Sequence, residues 1–131
     1  MTGVAYVDSS ALVKLIVEET GSHSMARWYV EAERVLISRV GIVETRRAAA
    51  RHDDLDPGLI DQVLRSVAVF ELDEQIERDA GAIRPSSVRS LDAIHLATAM
   101  AMLPAIDAFV TYDDRLADAA RSLGLPVVSP A

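Results

Sequence analysis

The sequence predicts an α/β chain with a short, mostly parallel central sheet flanked by helices. Short runs of β-branched residues alternate with longer stretches of helical periodicity along all 131 residues, the pattern of strands joined by helical crossovers. Half of the residues are apolar, enough for an ordered core. Cysteine is absent, so no disulfide framework or thiolate-bound metal replaces that core, and no cysteine nucleophile exists. The length fits one domain over residues 1–131 and is too short for two.

Taken in order, Val4–Val7 is the first strand. Residues 11–18 follow as a helix with Leu12, Leu15 and Ile16 at helical spacing, ended by Thr20-Gly21. Residues 22–33 form a second helix with Met25, Trp28 and Tyr29 on one side, and 35–37 a short strand. A helix over 40–52 breaks at "DDLDPG", where Asp56 and Pro57 open the next, which continues over 59–68. The stretch "VAVFEL" supplies another strand, and 74–83 an amphipathic helix stopped by "RPSS". Residues 91–102 are Ala-rich and apolar on most sides, hence a buried helix. Ala108–Val110 is a strand, 115–123 a helix ended by Gly124, and Val127–Val128 a last strand. No repeat, low-complexity tract or interdomain linker interrupts this series.

Charge narrows the function classes. The net charge of −7 argues against coating nucleic acid by bulk electrostatics. It leaves room for a nucleic-acid enzyme whose carboxylates hold cations. No apolar run approaches the roughly 20 residues that cross a bilayer, so no membrane is expected. No basic segment followed by an apolar one marks export either, and a cytoplasmic protein is the expectation. The cations are twelve arginines and one lysine, Lys14.

Four acids fall where strands end or helices begin. Asp8 follows the first strand, and Asp113 follows the strand ending at Val110. Asp92 stands in the first turn of the buried helix, and Glu44 early in the helix after "VLI". In a parallel sheet these places converge on one edge. Each acid also has a simpler explanation. Asp8 and Asp113 can be helix caps. Asp92 can complement a helix dipole, with Ser90 as the cap. Glu44 can pair on the surface with Arg47 or Arg51. Together, four acids aimed at one edge repel unless cations neutralise them. A carboxylate-only set suits Mg²⁺ or Mn²⁺ rather than zinc.

The stretches "YVDSSALVKL", "SRVGIVETRRA", "LDAIHLATA" and "FVTYDDRLADAARSLGLPVVSP" resemble, in order and over nearly the whole chain, the successive motifs of PIN-domain ribonucleases. The nearest resemblance is to the VapC toxins of bacterial toxin–antitoxin pairs. The second stretch is the loosest, with Gly41 where a better helix former is expected. The resemblance implies a PIN-like three-layer fold and a Mg²⁺-dependent endoribonuclease cutting structured cellular RNA, tRNA or rRNA. It also implies restraint by a VapB-type antitoxin and a homodimer. By position, Asp8, Glu44, Asp92 and Asp113 match the family's metal-binding, catalytic acids.

On this reading Asp8 and Asp92 ligate directly, with Asp113 and Glu44 binding directly or through water. Magnesium held by few carboxylates keeps waters, and one of them is easier to deprotonate into a nucleophile. Ser10 either caps the first helix, freeing Asp8, or hydrogen-bonds a ligand water or phosphate, with capping favoured. Thr111 resembles the family's supporting hydroxyl, the simpler role being strand-end hydrogen bonding. Arg46, Arg47 and Arg51 are either a solvated face or phosphate contacts, for which the guanidinium fork is suited. Asp114 is read as a solvated first-turn acid. His95 is read as a packed, hydrogen-bonded histidine outside catalysis. Trp28 and Tyr29 read as core or as a partner-binding groove rather than a base-stacking platform.

Other classes fit less well. A phosphoacceptor signalling domain wants a lysine after its last strand, and the one lysine is Lys14. A haloacid-dehalogenase-type phosphatase needs an acid two residues beyond Asp8, where Ser10 stands. No glycine-rich phosphate loop is present. The remaining alternative is a PIN-like module that binds RNA or protein without cutting.

Overall fold

In the computed structural model, which describes residues 3–131, one four-residue strand is buried on both of its faces. This is β1 (Val4–Val7). Alternate side chains of a strand point to opposite faces: Ala5 and Val7 enter one apolar cluster and Tyr6 the other. β1 lies between β2 (Arg34–Ser38) and β4 (Ala108–Val110), with β3 (Ala68–Phe70) beyond β2 and β5 (Val127–Val128) beyond β4. Among the described residues all five strands run parallel, where the sequence predicted mostly parallel ones. β4 repeats the double burial, with Ala108 and Val110 on one side and Phe109 on the other.

Helices cover both faces, as parallel sheets require. Leu12 of α1 (Ser9–Leu12), Met25 of α2 (Ser22–Glu31), Ile42 of α3 (Arg39–Ala49) and Leu64 of α4 (Pro57–Ser66) pack on the face of Ala5 and Val7. α5 (Glu74–Gly81) lies against α6 (Ser90–Ala101), and Leu96 and Ala99 of α6 with Leu116 and Ala120 of α7 (Asp114–Ser122) close the face of Tyr6 and Phe109. The result is the three-layer arrangement expected.

The predicted helix over 11–18 is the largest correction. α1 has only four residues and tightens into a 3₁₀ turn, Val13–Leu15. Gly21 does not end that helix; with φ of 91° it opens α2 in a left-handed conformation natural to glycine. As expected, Asp56 and Pro57 open α4, Asp56 capping it through a bond from Gly58 N; the helix ends at Ser66, short of the predicted Ala68, which instead starts β3. Met25 is fully buried, and half-buried Trp28 and Tyr29 pack against the same cluster, so this trio belongs to the core.

Candidate active site

All five strands point the same way, so their carboxyl ends share one edge. The chain leaves β1 toward β2 on one side, while β4 fills the other. That makes the β1–β4 boundary the switch point at which α/β sheets bind ligands. Asp8 follows β1 there, and Thr111 and Asp113 follow β4. Asp8 is only 4 % exposed. Its Oδ1 accepts from the Ser10 hydroxyl (2.7 Å) and from Ala11 N (3.1 Å), and its Oδ2 from the Thr111 hydroxyl (2.7 Å).

Asp8 itself is therefore the cap of α1, and the expected division of labour with Ser10 is overturned. Ser10 is held by a partner about a hundred residues away, since its hydroxyl oxygen accepts from Tyr112 N (2.9 Å). Capping does not exhaust Asp8: each carboxylate oxygen has two lone pairs, and Oδ2 accepts one bond. Thr111 supports both acids, because its hydroxyl oxygen also accepts from Asp113 N (3.0 Å). Asp113 caps α7 through Leu116 N (3.0 Å) and is exposed.

Asp92 stands in the first turn of α6. Ser90 is not its cap; Arg89 occupies that position and caps with no side-chain bond. Among the described residues no group hydrogen-bonds the Asp92 carboxylate. Glu44, on α3, pairs with neither Arg47 nor Arg51 but with His95: Nε2 stands 2.6 Å from Glu44 Oε1. His95 is buried, as expected of a packed histidine, and its Nδ1 lies 2.6 Å from the hydroxyl of fully buried Tyr6. Burial holds the Tyr6 phenol well above its ordinary pKa, so it stays a neutral donor.

The acids sense one another. Asp92 is pushed above the usual carboxylate range by burial first, then by the charge of Asp113 and also of Glu44, against the pull of His95 and Arg89. Asp8 is pushed up by burial, opposed by His95 and by its bonds from Ser10, Thr111 and Ala11. Among the described residues, no three acids form a ready-made ligand set around one point. Among the described residues the Asp92 carboxylate and Glu44 Oε2 lack a hydrogen-bond donor and Asp8 Oδ2 keeps a free lone pair, hard oxygen donors that fit a divalent cation.

The PIN domain model matches residues 5–122. The chain belongs to the PIN-domain family. Among its relatives, Ribonuclease VapC35 of Mycobacterium tuberculosis is 40% identical over 129 residues, 95% of this chain and 96% of that protein. Ribonuclease VapC46 of the same species is 34% identical over 126 residues, 96% and 97% of the two chains. The fold is shared with the crystal structure of Mycobacterium tuberculosis VapC20, a sarcin-ricin loop cleaving toxin (TM-score 0.74, 18% identity, covering 96% of this chain and 99% of that one). It is shared as well with VapBC2 from Rickettsia felis bound to a promoter DNA fragment (TM-score 0.71, 12% identity, 98% and 99% covered).

Within this PIN fold the three arginines singled out beside Glu44 separate. Arg46 faces Asp61 of α4 at 3.7 Å, an exposed ion pair, so its fork is directed at a neighbouring helix. Arg47, one turn after Glu44, and Arg51, just past the end of α3, are exposed without an ion-pair partner among the described residues. Two further arginines escaped the sequence analysis. Arg89 and Arg115 line, with Asp92, Pro85 and Ser87, a cleft of about 280 Å³. Both are exposed, and neither has an ion-pair partner among the described residues. Their signal was present: each lies within three residues of a motif acid. Arg89 also breaks a local rule, because a cation at a helix N-terminus opposes the dipole, and such breaches gather at functional sites.

Proposed function

We propose that this PIN-domain chain is a Mg²⁺-dependent endoribonuclease, with Mn²⁺ able to substitute, and the toxin of a type II toxin–antitoxin pair. The observation that supports this is that Asp8 and Asp113 follow adjacent strands at the switch point, while the Asp92 carboxyl feels the charge of both Asp113 and Glu44. Relatives named as ribonucleases over nearly the full length support the same activity. Asp8 and Asp92 would hold the cation, with Asp113 and Glu44 beside them. When bound, the cation would supply charge for the in-line displacement at phosphorus and ease ionisation of the attacking water. Ser10 and Thr111 orient Asp8, and Thr111 also braces Asp113. Arg89 and Arg115, which line the cleft, with exposed Arg47 and Arg51 beyond Glu44, would meet the backbone phosphates of the RNA.

The substrate is structured cellular RNA, tRNA or rRNA, and its cutting would stop translation. The structure of VapBC2, which shares the fold, pairs by name a VapC with a VapB, which supports a VapB-type antitoxin as partner here; the chain would act as a homodimer in the cytoplasm. The test is end-sequencing of total RNA after incubation with the purified protein and Mg²⁺. Discrete new ends, absent with EDTA and absent with Asp92→Asn, are expected. Ends that persist in Asp92→Asn would remove this cleft from the reaction, and the lack of any metal-dependent end would leave a binding module that does not cut.

A further inference from the structure

Ser38 caps α3 and Glu44 lies six residues on, in the middle of that helix, yet hydrogen bonds also join them the long way round, through two other elements. Ser38 N donates to the Tyr6 hydroxyl of β1 (3.1 Å), that hydroxyl meets His95 Nδ1 of α6 (2.6 Å), and His95 Nε2 meets Glu44 Oε1 (2.6 Å). The ionised Glu44 carboxylate can only accept, so the neutral imidazole carries its proton on Nε2 and presents Nδ1 as the acceptor. Tyr6 accepts from Ser38 and donates its own proton to Nδ1, which leaves the ring proton on Nε2 for the Glu44 carboxylate. Ser38 also starts α3, its hydroxyl accepting from Val40 N (3.2 Å). The loop therefore closes on the helix that carries Glu44.

A leucine or methionine would fill this place in the core without the cost of burying a polar ring. What histidine adds is a donor at the outer end of a buried group, and it is aimed at a carboxylate. Gly41 makes room for it: a Cβ there would stand 3.1 Å from His95 Cε1 and 2.5 Å from Ile37 Cδ1. A free glutamate loses much rotamer freedom when it is fixed. Glu44 has one oxygen already tied to the core, and its Oε2 has no partner among the described residues.

We propose that His95, braced by Tyr6, is a positioning residue that holds the Glu44 carboxylate ready for the cation, with Oε1 committed to His95 and Oε2 turned to the site. This inference rests on the metal-dependent reading of the cleft. Partners of this kind affect metal affinity by roughly 10- to 100-fold.

The experiment is titration of Mn²⁺ into the purified protein, followed by calorimetry, for wild type, His95→Asn, His95→Gln, Tyr6→Phe, Glu44→Gln and the His95→Asn/Glu44→Gln pair, with thermal melts of each. Asparagine keeps a group near Nδ1 and leaves nothing at Nε2; glutamine puts an amide N–H near Nε2. The expected result is Mn²⁺ binding about 10-fold weaker or more in His95→Asn, with most of the loss restored in His95→Gln. Once Glu44 is Gln, His95→Asn should cost nothing further, because it acts through that carboxylate. Wild-type affinity in His95→Asn, or losses that multiply in the pair, overturns the proposal. Should His95→Asn fail to fold, Tyr6→Phe decides, since it keeps the ring stacked on Phe109 while removing the brace; unchanged Mn²⁺ affinity there overturns the proposal alone. Wild type that binds no Mn²⁺ and cuts no RNA overturns the nuclease reading, and this inference with it.

Discussion

At the scale of single residues, the acids divide by what they cost the fold. Asp8 accepts bonds from Ser10, Ala11 and Thr111, which offset part of the cost of burying its charge. Asp92 has none of these and is instead pushed toward its protonated form by burial, Asp113 and Glu44. Asparagine at position 92 keeps the shape and removes the repelling charge. Asp92→Asn should therefore melt a few degrees higher than wild type in EDTA while losing metal-dependent cleavage by at least about 100-fold, in the range expected when charge stabilisation of a transition state is removed. Thermal melts beside a cleavage assay check both halves. A variant less stable than wild type in EDTA would show that Asp92 is a structural acid after all. The opposite sign is expected of Asp8→Ala, which strips a cap worth about 1 kcal/mol and leaves the Thr111 hydroxyl without its acceptor.

At the scale of elements, most of the fold was legible because its signals are local. Asp56 and Pro57 announced α4, and β4 and β5 were read to the residue. The first helix was misread because apolar spacing at Leu12, Leu15 and Ile16 does not distinguish α from the 3₁₀ turn that follows α1. The cap of α1 was misassigned for a different reason: Ser10 is claimed by Tyr112 N, a partner no local pattern reveals. His95 was read correctly as buried and bonded, but its bond to Glu44 spans two helices distant in sequence. Gly41 shows the same limit. By propensity, alanine there would stabilise α3 by about 1 kcal/mol. The structure places that methyl 2.5 Å from Ile37 and 3.1 Å from His95, and overpacking a tight core costs about 1–3 kcal/mol. The clash wins, so Gly41→Ala should lower stability and weaken cleavage by displacing His95 from Glu44. Denaturant melts decide it: a more stable Gly41→Ala variant would mean that α3 shifts freely and the close approach is not needed.

At the scale of the whole molecule, the acid-rich edge ties stability to pH and to cation. Asp8 and Asp92 both have carboxyls raised above their unfolded values by burial, with like charges adding at Asp92. A raised acid binds its proton more tightly in the folded state, so lowering pH through the folded pKa toward the unfolded value of about 3.9 favours folding. At neutral pH both groups are a cost that acid relieves. The net charge of −7 acts in the same direction, since self-repulsion shrinks as carboxylates protonate. A divalent cation supplies the missing counter-charge without a proton and stabilises by mass action, about 2.7 kcal/mol at a hundred times its dissociation constant. In EDTA the melting temperature should therefore be higher at a mildly acidic pH than at neutral pH. Mg²⁺ should raise it more at the higher pH, where the carboxylates are free of protons, bringing the two curves together. In Asp92→Asn both the acid-induced rise and the Mg²⁺ effect should shrink, because one of the two raised carboxyls is gone and with it one proposed ligand. Melts at both pH values with and without Mg²⁺ give the four numbers required. A stability that falls on acidification in EDTA would mean that paired, lowered carboxylates dominate, as with the Glu71 carboxylate held down by Arg39, and that the cleft contributes little to the fold's response.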